Sequence, residues 1–118
     1  MTEAYKVPVT AEDRLKAGVA AHLVAARTGT RADGMTAGGR LDPRASRARW
    51  LAMYLSHVSF GWSLERVGHV FGLNRATAGA ACRWAEDARE QRGVDDLLSH
   101  LETCLTDLFR APRCELRV

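Results

Sequence analysis

A chain of 118 residues has room for one domain with a modest core and a short flanking segment. Hydrophobic residues make up 47% and charged residues 26%, the balance of an ordinary globular protein, and no apolar run approaches the roughly 18 residues of a membrane-spanning helix. The opening MTEAYKVPVT lacks the apolar stretch of a secretory signal, so a cytoplasmic location with no membrane partner is expected.

The formal net charge is +3, carried by fifteen Arg and only two Lys. It is unevenly spread: residues 1–42 carry +1, residues 43–92 carry +4 and residues 93–118 carry −2. A basic middle between neutral and acidic ends suits a local nucleic-acid footprint, and equally a solvated arginine-rich surface. The three cysteines (Cys82, Cys104, Cys114) are odd in number and form no CxxC, which argues against a disulfide framework and a zinc site. The histidines at 22, 57, 69 and 100 stand singly, so no metal and no cofactor is expected.

The pattern along the chain is that of an all-α protein of about five helices, rich in Ala, Leu, Arg and Glu and poor in alternating β-branched runs. Thr10 followed by Asp13 can cap a first helix over about 11–27, with Leu15, Val19, His22, Leu23 and Ala26 at helical spacing. Residues 28–42 hold four glycines and read as a flexible linker, a connector rather than a DNA-tracking arm. Asp42-Pro43 starts a second helix whose expected buried face is Leu51, Tyr54, Leu55 and Val58. Phe60-Gly61-Trp62 breaks it, Ser63 caps a short third helix, and Gly72 ends that one. A fourth helix is expected over about 75–91, stopped by Gly93. A fifth follows over about 94–109, ended by Pro112. The domain division is thus 1–27 as an N-terminal segment, 28–42 as linker, 43–111 as a DNA-binding domain and 112–118 as a frayed tail. The Leu97, Leu101, Cys104, Leu105 and Leu108 stripe reads first as core packing; a homodimer contact, or one to RNA polymerase or another regulator, is the alternative.

The specific signal lies in residues 63–84, which read as a helix-turn-helix. Two steeply crossed helices in close contact need a small residue where they touch, a glycine in the turn, and apolar residues at fixed offsets. Gly68, Gly72, the flanking Val67 and Phe71, Leu73, and the inward Ala78, Ala81 and Trp84 meet those needs. A plain helical hairpin is the alternative, but it leaves the glycines at 68 and 72 unexplained, since glycine in a helix costs roughly 0.5–1 kcal/mol relative to alanine. In a helix-turn-helix the start of the second helix enters the major groove. The outward candidates are Asn74 for an adenine edge, Arg75 for guanine, Thr77 for a thymine methyl or phosphate, and Arg83 further along. Arg47, Arg49 and the helix start at Ser63 are candidate phosphate anchors, with Arg47 or Arg49 also able to reach the minor groove.

The run RARWLAMYLSHVSFGWSLERVGHVFG, with Ala52, Met53, Leu55, Ser63, Leu64, Gly68, Phe71 and Gly72 in register, resembles the C-terminal DNA-binding domain (domain IV) of the chromosomal replication initiator DnaA over Arg47–Arg83, about a third of the chain. The resemblance implies the helix-turn-helix fold and its docking on duplex DNA, with Arg47 or Arg49 at the position that reaches the minor groove. It does not imply the initiator's sequence preference. Where the family has Asp-His-Thr-Thr this chain has Asn74-Arg75-Ala76-Thr77, so only Thr77 matches. The chain also has no GxxxxGK[ST] phosphate loop. Stand-alone domains of this kind resemble small bacterial regulators, including activators of prophage-like or gene transfer agent genes. The expected function is therefore a sequence-specific double-stranded DNA-binding transcription regulator. A replication modulator competing for initiator sites and a protein-interaction module that has lost DNA binding are the alternatives. No paired nucleophile and base is visible, and an enzyme is not expected.

Overall fold

The computed structural model describes residues 7–117, so the expectations for the first six residues and for the final one lie outside the described residues. Within it the protein is all-helical: α1 (Ala11–Thr28), α2 (Pro43–Phe60), α3 (Leu64–Val70), α4 (Arg75–Ala88) and α5 (Arg92–Arg110). No helix among the described residues is long and apolar enough to cross a membrane.

Among the described residues, four of the five helix starts carry a side-chain cap, and only that of α5 does not. Four N–H groups at a helix start have no partner inside the helix, and a short polar side chain just before it supplies one. Thr10 and Asp13 form a reciprocal capping box on α1, each side-chain oxygen accepting the other's backbone N–H. Asp42, with Pro43 at the first helical position, caps α2 through Ala45 N–H at 2.9 Å.

The central element is α2, which packs against the four other helices. Six consecutive residues, Leu51 to Ser56, are buried, so the expected one-sided face becomes a helix covered all round over its middle. Val58, expected in that face, instead stands 42% exposed near the helix end, beyond the reach of the covering helices. The buried Ser56 hydroxyl donates to the Ala52 carbonyl at 2.8 Å, which removes the cost of an unpaired polar group. Against α2, α1 presents the small residues Ala17, Ala20, Ala21, Val24 and Ala25. Leu15, in the expected stripe, points away and is 61% exposed. From α5, Leu98, Leu101 and Leu105 enter the core while Leu108 remains exposed. Full burial of each such side chain contributes about 1.5–3 kcal/mol.

Two boundaries differ from expectation. Gly93 does not stop α4; it lies inside the first turn of α5. The chain turns earlier, at residues 89–91, where Arg89 is drawn across to α5. Its guanidinium donates to Asp95 and Glu102 at 2.6 Å each, to Ser99 at 2.8 Å and to the Tyr54 hydroxyl at 3.0 Å. Burial acts to lower its pKa, but these hydrogen bonds and the Glu102 charge outweigh that, so Arg89 is held firmly protonated.

The segment between α1 and α2 is packed rather than free. Met35 is fully buried. Arg44 donates to the Thr28 carbonyl and Arg49 to the Gly39 carbonyl, each at 2.8 Å, so α2 holds the loop near both ends. Gly38 abuts Gly72, where a Cβ on Gly38 would stand 2.1 Å from the Gly72 carbonyl oxygen. The loop therefore buttresses the turn between α3 and α4. Four glycines suggest flexibility from composition alone, yet here glycine permits close backbone approach.

Candidate nucleic-acid interface

Residues 71–74 join α3 to α4 in a tight turn. Its tightness depends on two glycines. Gly72 has φ +71°, a left-handed conformation that side-chain-bearing residues rarely adopt. Gly68 is buried against the start of α4: a Cβ there would lie 2.5 Å from the Asn74 carbonyl carbon and 2.9 Å from the Arg75 nitrogen. Leu73 N–H donates to the Gly68 carbonyl at 2.7 Å, closing the turn. Val67, Phe71, Ala78, Ala81 and Ala85 fill the space beneath. Asp13 of α1 accepts from Arg66 of α3 at 2.6 Å and so fixes the shorter helix from behind.

With Ala78, Ala81, Cys82 and Ala85 facing inward, the opposite face of α4 follows at helical spacing: exposed Ala76, half-buried Ala80, exposed Arg83 and exposed Asp87. Arg75 flanks this face on the α3 side. Its side chain is 71% exposed and only loosely opposed by Glu65 at 4.0 Å. Arg83 lies back over Gly79, with a guanidinium nitrogen 3.3 Å from where a Cβ would stand on that glycine. Beyond Arg83 the sign of charge reverses, with Glu86, Asp87 and Glu90 all on α4 or just past it.

The expected site residues divide. Arg83 lies on the exposed face of α4 and Arg75 flanks it on the α3 side. Arg47, on α2, reaches across to α4: its guanidinium carbon is 4.5 Å from the Trp50 ring centre and 5.1 Å from that of Trp84, which belongs to α4. Arg49 does not join them. It is 6% exposed, donates to the Gly39 carbonyl and leaves Nε buried without a partner; burial lowers its pKa. An arginine so enclosed holds the loop and does not reach a phosphate. Ser63 is exposed but serves as the N-cap of α3, accepting from Arg66 N–H at 3.1 Å.

Asn74 is corrected in part. Reading an adenine edge requires both its oxygen and its nitrogen. Its oxygen already caps α4, accepting from Thr77 N–H at 2.9 Å and from the Thr77 hydroxyl at 3.1 Å. Thr77 is half-buried, with its proton spent in the same cap. The oxygen atoms of both side chains are thus committed to the helix start, although Asn74 itself is exposed. Ala80 and Ala76 carry no chemical signal of their own in the sequence; only their places one and two turns before Arg83 mark them as part of this face. Trp84, expected to face inward, is half-buried with Arg47 over its ring. Nearby, the Cys82 thiol is pushed up to about 11 by burial and by Glu86, with Arg83 opposing.

No protein-family model and no curated protein matches the chain.

Proposed function

We propose that the protein is a sequence-specific double-stranded DNA-binding regulator of transcription that lays the first half of α4 in the major groove. The observation that carries the reading is the pairing of a glycine-seated α3–turn–α4 unit with an exposed α4 face made of Ala76, Ala80 and Arg83 and flanked by Arg75. Short side chains let a helix backbone approach base edges closely, and alanine can meet a thymine methyl. Arg75 and Arg83 supply forked donors suited to guanine or phosphate. The acids from residue 86 onward oppose a polyanion, so the reading restricts contact to the N-terminal two turns and a half of α4, as recognition helices require. The resemblance to the DnaA domain supports the same docking mode. Its altered recognition residues favour a target other than the initiator's own box.

Selection of bound duplexes from a random DNA library tests the proposal. A sharp enriched motif unlike the DnaA box is expected. Enrichment of that box would favour the replication-modulator reading, and no enrichment would sink sequence-specific binding. On the selected duplex, Arg75→Ala is expected to weaken binding by about 1–3 kcal/mol while leaving the thermal melting of the protein unchanged.

A further inference from the structure

We propose that Trp50 and Trp84 are positioning residues that hold the Arg47 guanidinium as an anchor for a backbone phosphate of duplex DNA. The inference rests on the DNA-binding reading. It starts from a contrast among the arginines of the basic middle segment. Arg44, Arg49, Arg66 and Arg89 spend their N–H donors on carbonyls, carboxylates or hydroxyls of the protein itself. Arg47 makes no hydrogen bond or ion pair among the described residues, yet it lies over two indole rings from two different helices. The rings are 5.9 Å apart between centres and stand nearly edge to face at 72°, so each supports the other's orientation.

Such an arrangement fixes the plane of a cation without using its donors. The ring quadrupole attracts the guanidinium face, and the N–H edge stays open to an acceptor. A long arginine normally loses rotamer freedom when it grips a ligand; one already laid on aromatic surface has lost part of it beforehand. Because Trp84 stands on α4 one residue after Arg83, the anchor is tied to the helix that enters the groove. Its position then sets the register of α4 on the duplex, the task of a phosphate contact. Both indoles are half-buried, which leaves them firmly seated.

Fluorescence anisotropy of a labelled duplex, titrated with the whole chain over a series of salt concentrations, tests this. Leucine keeps apolar bulk without a ring, and phenylalanine keeps a ring. Arg47→Ala is expected to weaken binding and to reduce the salt slope by about one. Trp84→Leu and Trp50→Leu should each weaken binding about two- to fivefold, whereas Trp84→Phe should retain most of it. In the Arg47→Ala background, Trp84→Leu should have no further effect, since a positioning residue acts only through what it positions. An equal loss from Trp84→Leu with and without Arg47 would overturn the proposal, as would unchanged affinity in Arg47→Ala or in both leucine variants. If either leucine variant melts early, the cycle on the other tryptophan decides. No duplex binding by the wild-type chain removes the DNA-binding reading and this inference together. Wild-type binding without the Arg47 coupling removes this one alone.

Discussion

The packing of α3 on α4 makes one demand that a single methyl group can test. Gly68→Ala places a Cβ 2.5 Å from the Asn74 carbonyl carbon and 2.6 Å from its oxygen, where ordinary contact begins near 3.4 Å. The two helices must separate by nearly 1 Å, and the obstructing atoms are backbone, which has no rotamer to escape into. Overpacking of this kind costs about 1–3 kcal/mol, and a rigid neighbour puts the cost at the upper end. Alanine returns up to about 1 kcal/mol through its better helix propensity. The net expectation is destabilisation of about 2 kcal/mol. Gly18→Ala supplies the control. Gly18 also sits inside a helix, α1, but nothing lies within 4 Å of its would-be Cβ, so only the propensity gain of up to about 1 kcal/mol applies. The same substitution should therefore shift stability in opposite directions at the two sites. For a domain of this size that separates the two melting temperatures by roughly 10 °C in thermal denaturation followed by circular dichroism. A Gly68→Ala protein as stable as wild type, or both variants shifting the same way, would refute the close-contact account of this turn.

Two further outcomes are expected. Arg49→Met should leave the affinity for selected duplex within about twofold of wild type, because the side chain it replaces faces the loop carbonyl and not the solvent. A tenfold loss in a folded variant would place Arg49 in the interface after all. The Cys82 thiol, pushed up to about 11 when folded, holds its proton longer than it does in the unfolded chain, whose ordinary value is 9.0. Its contribution to stability is complete below about pH 9 and is lost as pH rises towards about 11, the loss amounting to about 1–3 kcal/mol. Denaturant unfolding of wild type and Cys82→Ala at a series of alkaline pH values should show wild type losing stability faster; a constant gap between the two would contradict it.

Local signals were readable from the sequence and long-range ones were not. Thr10, Asp42 and Ser63 announce three helix starts because capping is chemistry between residues three apart. Gly68 and Gly72 announce the tight turn because the penalty of glycine in or beside a helix demands a reason. The roles of Arg47 and Arg49 were not separable, since both lie in the first turns of α2 and only tertiary packing decides which faces the loop and which the tryptophans. Composition likewise misrepresents the loop of residues 29–42, because the partner that Gly38 fits against is Gly72, distant in sequence. Asn74 and Thr77 were assigned outward roles by position in the motif, but the unpaired N–H groups of a helix start claim a nearby side-chain oxygen first.

That competition changes where specificity must reside if α4 reads DNA. With the oxygens of Asn74 and Thr77 fixing the helix start, the charged donors beside the exposed face come down to Arg75 and Arg83, two turns apart in sequence, with the Arg83 guanidinium folded back one turn over Gly79. Between them lie alanines that can offer shape and methyl contact but no donors. Two guanidinium groups beside an alanine surface suit guanines or phosphates next to a thymine-rich step. Duplexes carrying that arrangement are accordingly the ones a selection should enrich, and a motif of contiguous adenine contacts would instead require Asn74 to leave its cap.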